Sequence, residues 1–166
     1  MTTEGRIRWP DGLLESYELP VTTKQFLYDV GLPQVEDSSQ RFGVFPPDSD
    51  GNLVIGDEYG NPVYVQKRTG KVFAIQPITG SDGVTTARRR TLFVNSTVAL
   101  LAEFVELFEG FRADPMVETD SDHAERAFRE LERRMREKDP RAFSPEEEQV
   151  ESTLWQLVLD DVRWQL

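Results

Sequence analysis

Between residues 41 and 94 the chain passes through short β-branched and aromatic runs, each closed within a few residues by glycine or proline. Arg41-Phe42-Gly43-Val44-Phe45 stops at Pro46-Pro47. Asn52-Leu53-Val54-Ile55-Gly56-Asp57 leads into a turn at Glu58-Tyr59-Gly60-Asn61. Pro62-Val63-Tyr64-Val65-Gln66 leads into another at Lys67-Arg68-Thr69-Gly70, and Lys71-Val72-Phe73-Ala74-Ile75-Gln76 follows. Such runs suit a pleated sheet, and the tight turns between them predict a meander of antiparallel strands. Pro62 cannot donate to a ladder, which puts it at a strand start or an edge. Residues 77–86 read as a loop, with a last short strand at Thr91-Leu92-Phe93-Val94.

The flanks follow a different period. Residues 1–19 read as an irregular entry segment with apolar points at Ile7, Trp9, Leu13 and Leu14 and a turn signal at Pro10-Asp11-Gly12. A short helix is expected at about 23–30. Thr22 or Thr23 would cap it, Phe26, Leu27 and Val30 would share a face, and Gly31 and Pro33 would end it. From residue 95 onward the pattern is helical. Asn95 or Ser96 would cap a helix to about Phe108, with Leu101, Phe104 and Phe108 on the apolar arc and Glu103, Glu106 and Glu109 on the outer one. Residues 114–122 read as an acidic linker. A helix to about Lys138 follows, with the stripe Ala124, Ala127, Phe128, Leu131 and Met135 and the i,i+4 pairs Glu125–Arg129, Glu130–Arg134 and Glu132–Arg136. Ser144-Pro145-Glu146-Glu147 has the form of a capping box opening a final helix. The whole pattern is α+β: a mostly antiparallel meandering sheet, an N-terminal short helix, and C-terminal helices packed on the sheet.

Composition narrows the chemistry. At 166 residues the chain suits one domain, spanning 1–166. There is no cysteine and one histidine, His123, which excludes disulfides, thiolate metal sites, thiol catalysis and multi-histidine metal centres. No apolar run reaches the roughly 18 residues of a membrane span. The N-terminus lacks an apolar signal region, so a cytoplasmic location is expected. The net charge is −11, from 19 basic and 30 acidic residues, which argues against nucleic-acid binding. Residues 1–100 carry 12 acids and 10 bases, whereas 101–166 carry 18 and 9. That second half is either a solvated helical surface or one that attracts a basic partner.

Motifs for chemistry are largely missing. There is no phosphate-binding glycine loop, no GxSxG elbow, no HExxH and no pattern for a cofactor. Asp48-Ser49-Asp50-Gly51-Asn52 resembles half of a calcium loop, but Pro46 stands where a ligand is needed, so a strand-connecting turn is expected. Arg88-Arg89-Arg90 reads as a charged strand edge, with phosphate or partner contact as the other reading.

The order of elements carries more. A helix ending in Gly31-Leu32-Pro33 leads to a meander with Ile55-Gly56-Asp57, Gly60 and Thr69-Gly70-Lys71-Val72. Phe93-Val94-Asn95-Ser96-Thr97 then enters an amphipathic helix with Phe104 and Phe108, and a helix bearing Trp155 closes the chain. This resembles the SUKH superfamily, most closely its fourth group of bacterial immunity proteins, over roughly residues 20–166. The resemblance implies a single α+β domain and a non-enzymatic protein that neutralises a cognate toxin domain by direct binding. Nucleases and nucleic-acid deaminases are among the toxins of such systems. It also admits a regulatory or adaptor protein of the same fold. A toxin acting on nucleic acid presents basic residues, which an acidic antidote can cover. Two acid sets are candidates for that contact: Asp48, Asp50, Asp57 and Glu58 on the sheet loops, and Glu103, Glu106 and Glu109 on the first long helix. The partner's identity and the oligomeric state stay open.

Overall fold

The structure, a computed structural model, describes residues 5–35, 40–58, 61–79, 85–145, 150 and 152–165, with the backbone alone at 40, 58, 79 and 85–88. The entry segment is more ordered than its composition suggests. Strand β1 (Arg6–Ile7) pairs antiparallel with β2 (Leu32–Pro33). Trp9 and Leu14 are buried, and the Trp9 N–H donates to the Leu27 carbonyl at 3.1 Å. Between these strands lies helix α1 (Val21–Asp29). It starts at Pro20, whose carbonyl accepts the Lys24 N–H at 3.1 Å, and no side chain caps it. Neither Thr22 nor Thr23 takes the expected capping role, because both lie inside the first turn. Thr23 is instead buried beneath Gly70, where a Cβ would stand 2.7 Å from Thr23 Oγ1.

Five strands form the main sheet in sequence order: β3 (Gln40–Phe42), β4 (Leu53–Glu58), β5 (Asn61–Val65), β6 (Val72–Thr79) and β7 (Thr85–Asn95). Every neighbour is antiparallel, which is the expected meander. The last two strands are longer than expected. Pro77 pairs with Arg89, and the register shifts between Pro77 and Thr79, so the missing N–H falls at an irregularity in the ladder. The loop expected over 77–86 therefore shrinks; residues 80–84 lie outside those described, as do Tyr59 and Gly60 of the turn expected at 58–61. Gly56 allows β3 close to β4, since a Cβ there would stand 2.8 Å from the Arg41 carbonyl.

One face of the sheet is sealed. Leu53, Val65 and Val72 align across it, as do Val63, Ala74 and Leu92, and all are buried. They share one apolar cluster with Leu27 of α1 and with Leu101, Phe104 and Val105 of helix α2 (Val98–Arg112). Thr97, one residue past the expected caps, accepts the Leu100 N–H at 3.2 Å. Asn95 and Ser96 are engaged elsewhere. The buried Asp139 carboxylate accepts Asn95 Nδ2 at 3.2 Å, the Ser96 N–H at 2.7 Å and Ser96 Oγ at 2.8 Å, while Asn95 Oδ1 accepts Trp155 Nε1 at 3.0 Å. Ala102 of α2 is buried as well.

The expected acidic linker contains a short helix, α3 (Pro115–Thr119), capped by Asp114, and Asp120 then caps α4 (Ser121–Lys138). Ala124, Phe128, Leu131 and Met135 of α4 are buried. Glu125–Arg129 and Glu132–Arg136 pair as expected; Glu130 instead meets Arg133, which also reaches Glu137. The last helix, α5 (Leu154–Gln165), starts well after Ser144. Ser144 ends a 3-10 turn at Pro140–Phe143 and its Oγ donates to the Pro140 carbonyl at 3.2 Å. Thr153 forms a parallel bridge with Phe93, so the chain just before α5 runs extended beside β7 rather than coiling. Glu147 of the expected capping box lies outside the described residues.

Candidate partner-binding surfaces

Asp48 organises the loop between β3 and β4. Its Oδ1 accepts the N–H groups of Asp50 at 2.9 Å and Asn52 at 2.8 Å, and its Oδ2 accepts Asn52 Nδ2 at 2.8 Å. A short carboxylate satisfying its own loop in this way fixes a turn. Asn52 Oδ1 accepts the Lys67 N–H at 3.0 Å, and Lys67 Nζ donates to the Asp50 carbonyl at 2.7 Å. The loop is thereby tied to the β5–β6 turn, and the Asp50 side chain is left exposed. Asp57 is half-buried on β4, in register with Arg41 on β3 and Pro62 on β5. The side chain of Glu58 lies outside the described residues.

The second acid set, on the outer arc of α2, already meets cations. Glu106 pairs with Arg6, Glu103 with Lys138, and Glu109 lies 3.5 Å from Arg112. Two of these cations come from sequence positions 100 and 35 residues away, and the third from a turn of α2 beyond its expected end. Beside Glu103 and Glu106 runs a groove of about 340 Å³, with Phe26, Val30 and Ala99 among its apolar lining and the two ion pairs at its rim.

Sequence reasoning passed over Tyr64. Its ring stacks on Phe73 with centroids 5.8 Å apart, and Phe73 meets Phe93 edge-on at 5.5 Å. Burial pushes the Tyr64 hydroxyl above its ordinary range, and the charges of Asp48 and Asp50 add to the shift. The signal was present in the alternation of 62–66, where Val63 and Val65 face the sealed core and Tyr64 faces away.

His123 Nε2 lies 2.7 Å from Asp114 Oδ2 across the α3–α4 junction. Arg89 is exposed on β7, an edge strand of the sheet, and Arg90 reaches Gln76 Oε1 at 3.4 Å; the side chain of Arg88 lies outside the described residues. Among the described residues no three metal-ligating side chains converge, and no helix is long and apolar enough to cross a membrane.

Neither a curated protein nor a solved structure matches the chain. The family described as SUKH-4 immunity protein matches residues 1–161, which takes in the entry segment that the resemblance at 20–166 left out. The buried Trp9 and the pairing of β1 with β2 give that inclusion a physical basis, since the segment completes the core. A match over nearly the whole length, on an α+β chain with an antiparallel meander and C-terminal helices, places this protein in the SUKH-4 immunity protein family.

Proposed function

We propose that the protein protects its producing cell by binding a cognate toxin domain directly, in the cytoplasm and without catalysis of its own. The observation that carries this is the family match over residues 1–161. The charge of −11 supports a basic partner, and a toxin that acts on nucleic acid, such as a nuclease or a deaminase, must offer basic residues to phosphate. Covering that surface blocks the substrate whatever the chemistry behind it. A complex of this kind buries about 1,200–2,000 Å² in total. The carboxylates of the 48–58 loops and of Glu103, Glu106 and Glu109 are the candidate contacts.

The test is co-expression with the toxin domain encoded by the neighbouring gene. Restored growth, together with co-purification of the pair, is the expected result. A pair that neither binds nor restores growth overturns the proposal and leaves the regulatory or adaptor role.

A further inference from the structure

Cross-strand partners in an antiparallel ladder project to the same side of a sheet. In β4–β7 one side carries the sealed residues Leu53, Val63, Val65, Val72, Ala74 and Leu92. The other side carries Val54 opposite Tyr64, Tyr64 opposite Phe73, Phe73 opposite Phe93, and Ile75 opposite Thr91. On this outer side Val54, Phe73 and Phe93 are buried, but Tyr64 and Ile75 are only half-buried and Thr91 is exposed. A partly exposed aromatic ring with an aliphatic neighbour on a sheet face is the kind of anchor that dominates interface energies.

We propose that this outer face, centred on Tyr64 and bordered by Asp48 and Asp50, receives an arginine- or lysine-bearing segment of the toxin. The inference rests on the protein being an immunity protein. Three observations favour it over the α2 surface. The loop acids are already ordered by the Asp48 hydrogen bonds and the Asn52–Lys67 link, so little entropy is lost on docking. Lys67 contacts the Asp50 backbone carbonyl, which leaves the Asp50 carboxylate for an incoming cation. Glu103, Glu106 and Glu109, by contrast, already face Lys138, Arg6 and Arg112. An incoming side chain would have to displace those cations.

The partner's chemistry follows from the charge. A guanidinium can stack on the Tyr64 face while its N–H groups reach Asp48 or Asp50. Arg41, in register with Asp57, tempers the charge at the β3 edge, so the acidic side of the face is the Asp48–Asp50 loop. A second copy of the chain would bring the same acidic loop to itself and is disfavoured by the −11 charge. Strand spacing and rise give this side of β4–β7 roughly 300 Å², only part of it accessible. A stable complex needs about 800 Å² per partner, so the patch supplies the anchor and the 48–52 loop part of the rim.

The test measures affinity for the neighbouring gene's toxin domain, made catalytically inactive, by calorimetry. Asp50→Lys changes an exposed side chain without touching the backbone bonds of its loop. Tyr64→Ala removes the anchor, with a thermal melt to confirm folding. Each is expected to weaken binding about tenfold or more, whereas Glu109→Lys on α2 stays within about threefold. If Asp50→Lys and a folded Tyr64→Ala both bind like the wild type, or if Glu109→Lys alone weakens binding, the proposed surface is wrong. If the wild-type protein itself does not bind, the immunity function fails instead. A wild-type dimer in sedimentation that Asp50→Lys dissociates would assign the face to self-association and also overturn the proposal.

Discussion

Gly31 ends α1 at φ +77°, and a Cβ on it would stand 2.3 Å from the Ile7 carbonyl oxygen. Its own carbonyl accepts Arg6 Nη1 at 2.9 Å, so one residue both stops the helix and receives the entry segment. Gly51 has the same φ of +77° with nothing within 4 Å of a would-be Cβ. The pair separates backbone strain from steric exclusion. Gly51→Ala should cost about 1–2 kcal/mol, the left-handed penalty alone. Gly31→Ala should cost clearly more and loosen the β1–β2 pairing. Urea melts measure the first effect and hydrogen exchange at the Gln34 amide, bonded to the Gly5 carbonyl, the second. Equal losses would mean that β1 gives way freely. Asp139 makes a comparable case for polar groups. It is 2% exposed and accepts three hydrogen bonds from Asn95 and Ser96. Asp139→Asn removes the charge from these bonds, and its amide N–H₂ can be satisfied only at Ser96 Oγ, which must then accept rather than donate; the change should cost about 1–3 kcal/mol. The change should also alter the emission of Trp155, which shares Asn95; an unchanged melting midpoint would show that the network adds no net stability. Gly31 as a helix stop was legible in sequence because glycine before Leu-Pro is a local signal. Asp139 was not, because its partners come from positions 43 and 44 residues away.

At the scale of elements, legibility followed how local each signal was. Strands β4 and β5 and the start of β6 stood out through alternation and bounding glycines, and α4 through its stripe and charge pairs. The capping-box pattern at Ser144 points to an earlier start for α5 because it is a local signal, whereas the Phe93–Thr153 bridge just before the helix is not. The same holds for the candidate site. Acids are visible in any sequence, but whether a cation faces them depends on packing, as Arg6 and Lys138 show. The α3–α4 junction gives a prediction at this scale. The hydrogen bond from His123, and then the Met116 N–H, hold the Asp114 carboxyl below the usual carboxylate range. A lowered folded pKa adds stability that is full above the unfolded value of about 4 and is lost as pH falls through the folded one. The Asp114 contribution to the junction should therefore be lost as pH falls below about 4. NMR of the Met116 amide, which donates to Asp114 Oδ1 at 2.9 Å, should report it. Asp114→Asn should flatten that acid transition; an identical transition in this variant would place its origin elsewhere.

The molecule as a whole carries its charge in two ways that differ in consequence. Along α4 and the outer side of α2, acids meet cations: Glu132 with Arg136 and Arg163, Glu130 with Arg133, and Glu103 with Lys138. Exposed pairs of this kind add at most about 1 kcal/mol each and present a near-neutral surface. The surplus of eleven negative charges still sets a long-range field. Such a field changes how often a basic partner arrives more than how long it stays. If the toxin docks on the Tyr64 face, raising salt from about 50 to 500 mM shortens the screening length several-fold and should slow association by about tenfold or more. Dissociation should change much less, because it is set by the desolvated ring contact. Asp50→Lys should lower the association rate at low salt and reduce its salt slope, while Tyr64→Ala should act mainly on dissociation. Stopped-flow rates for the two variants across that salt range test this division directly. A salt effect carried by dissociation would mean that ion pairs, rather than the aromatic anchor, hold the complex together.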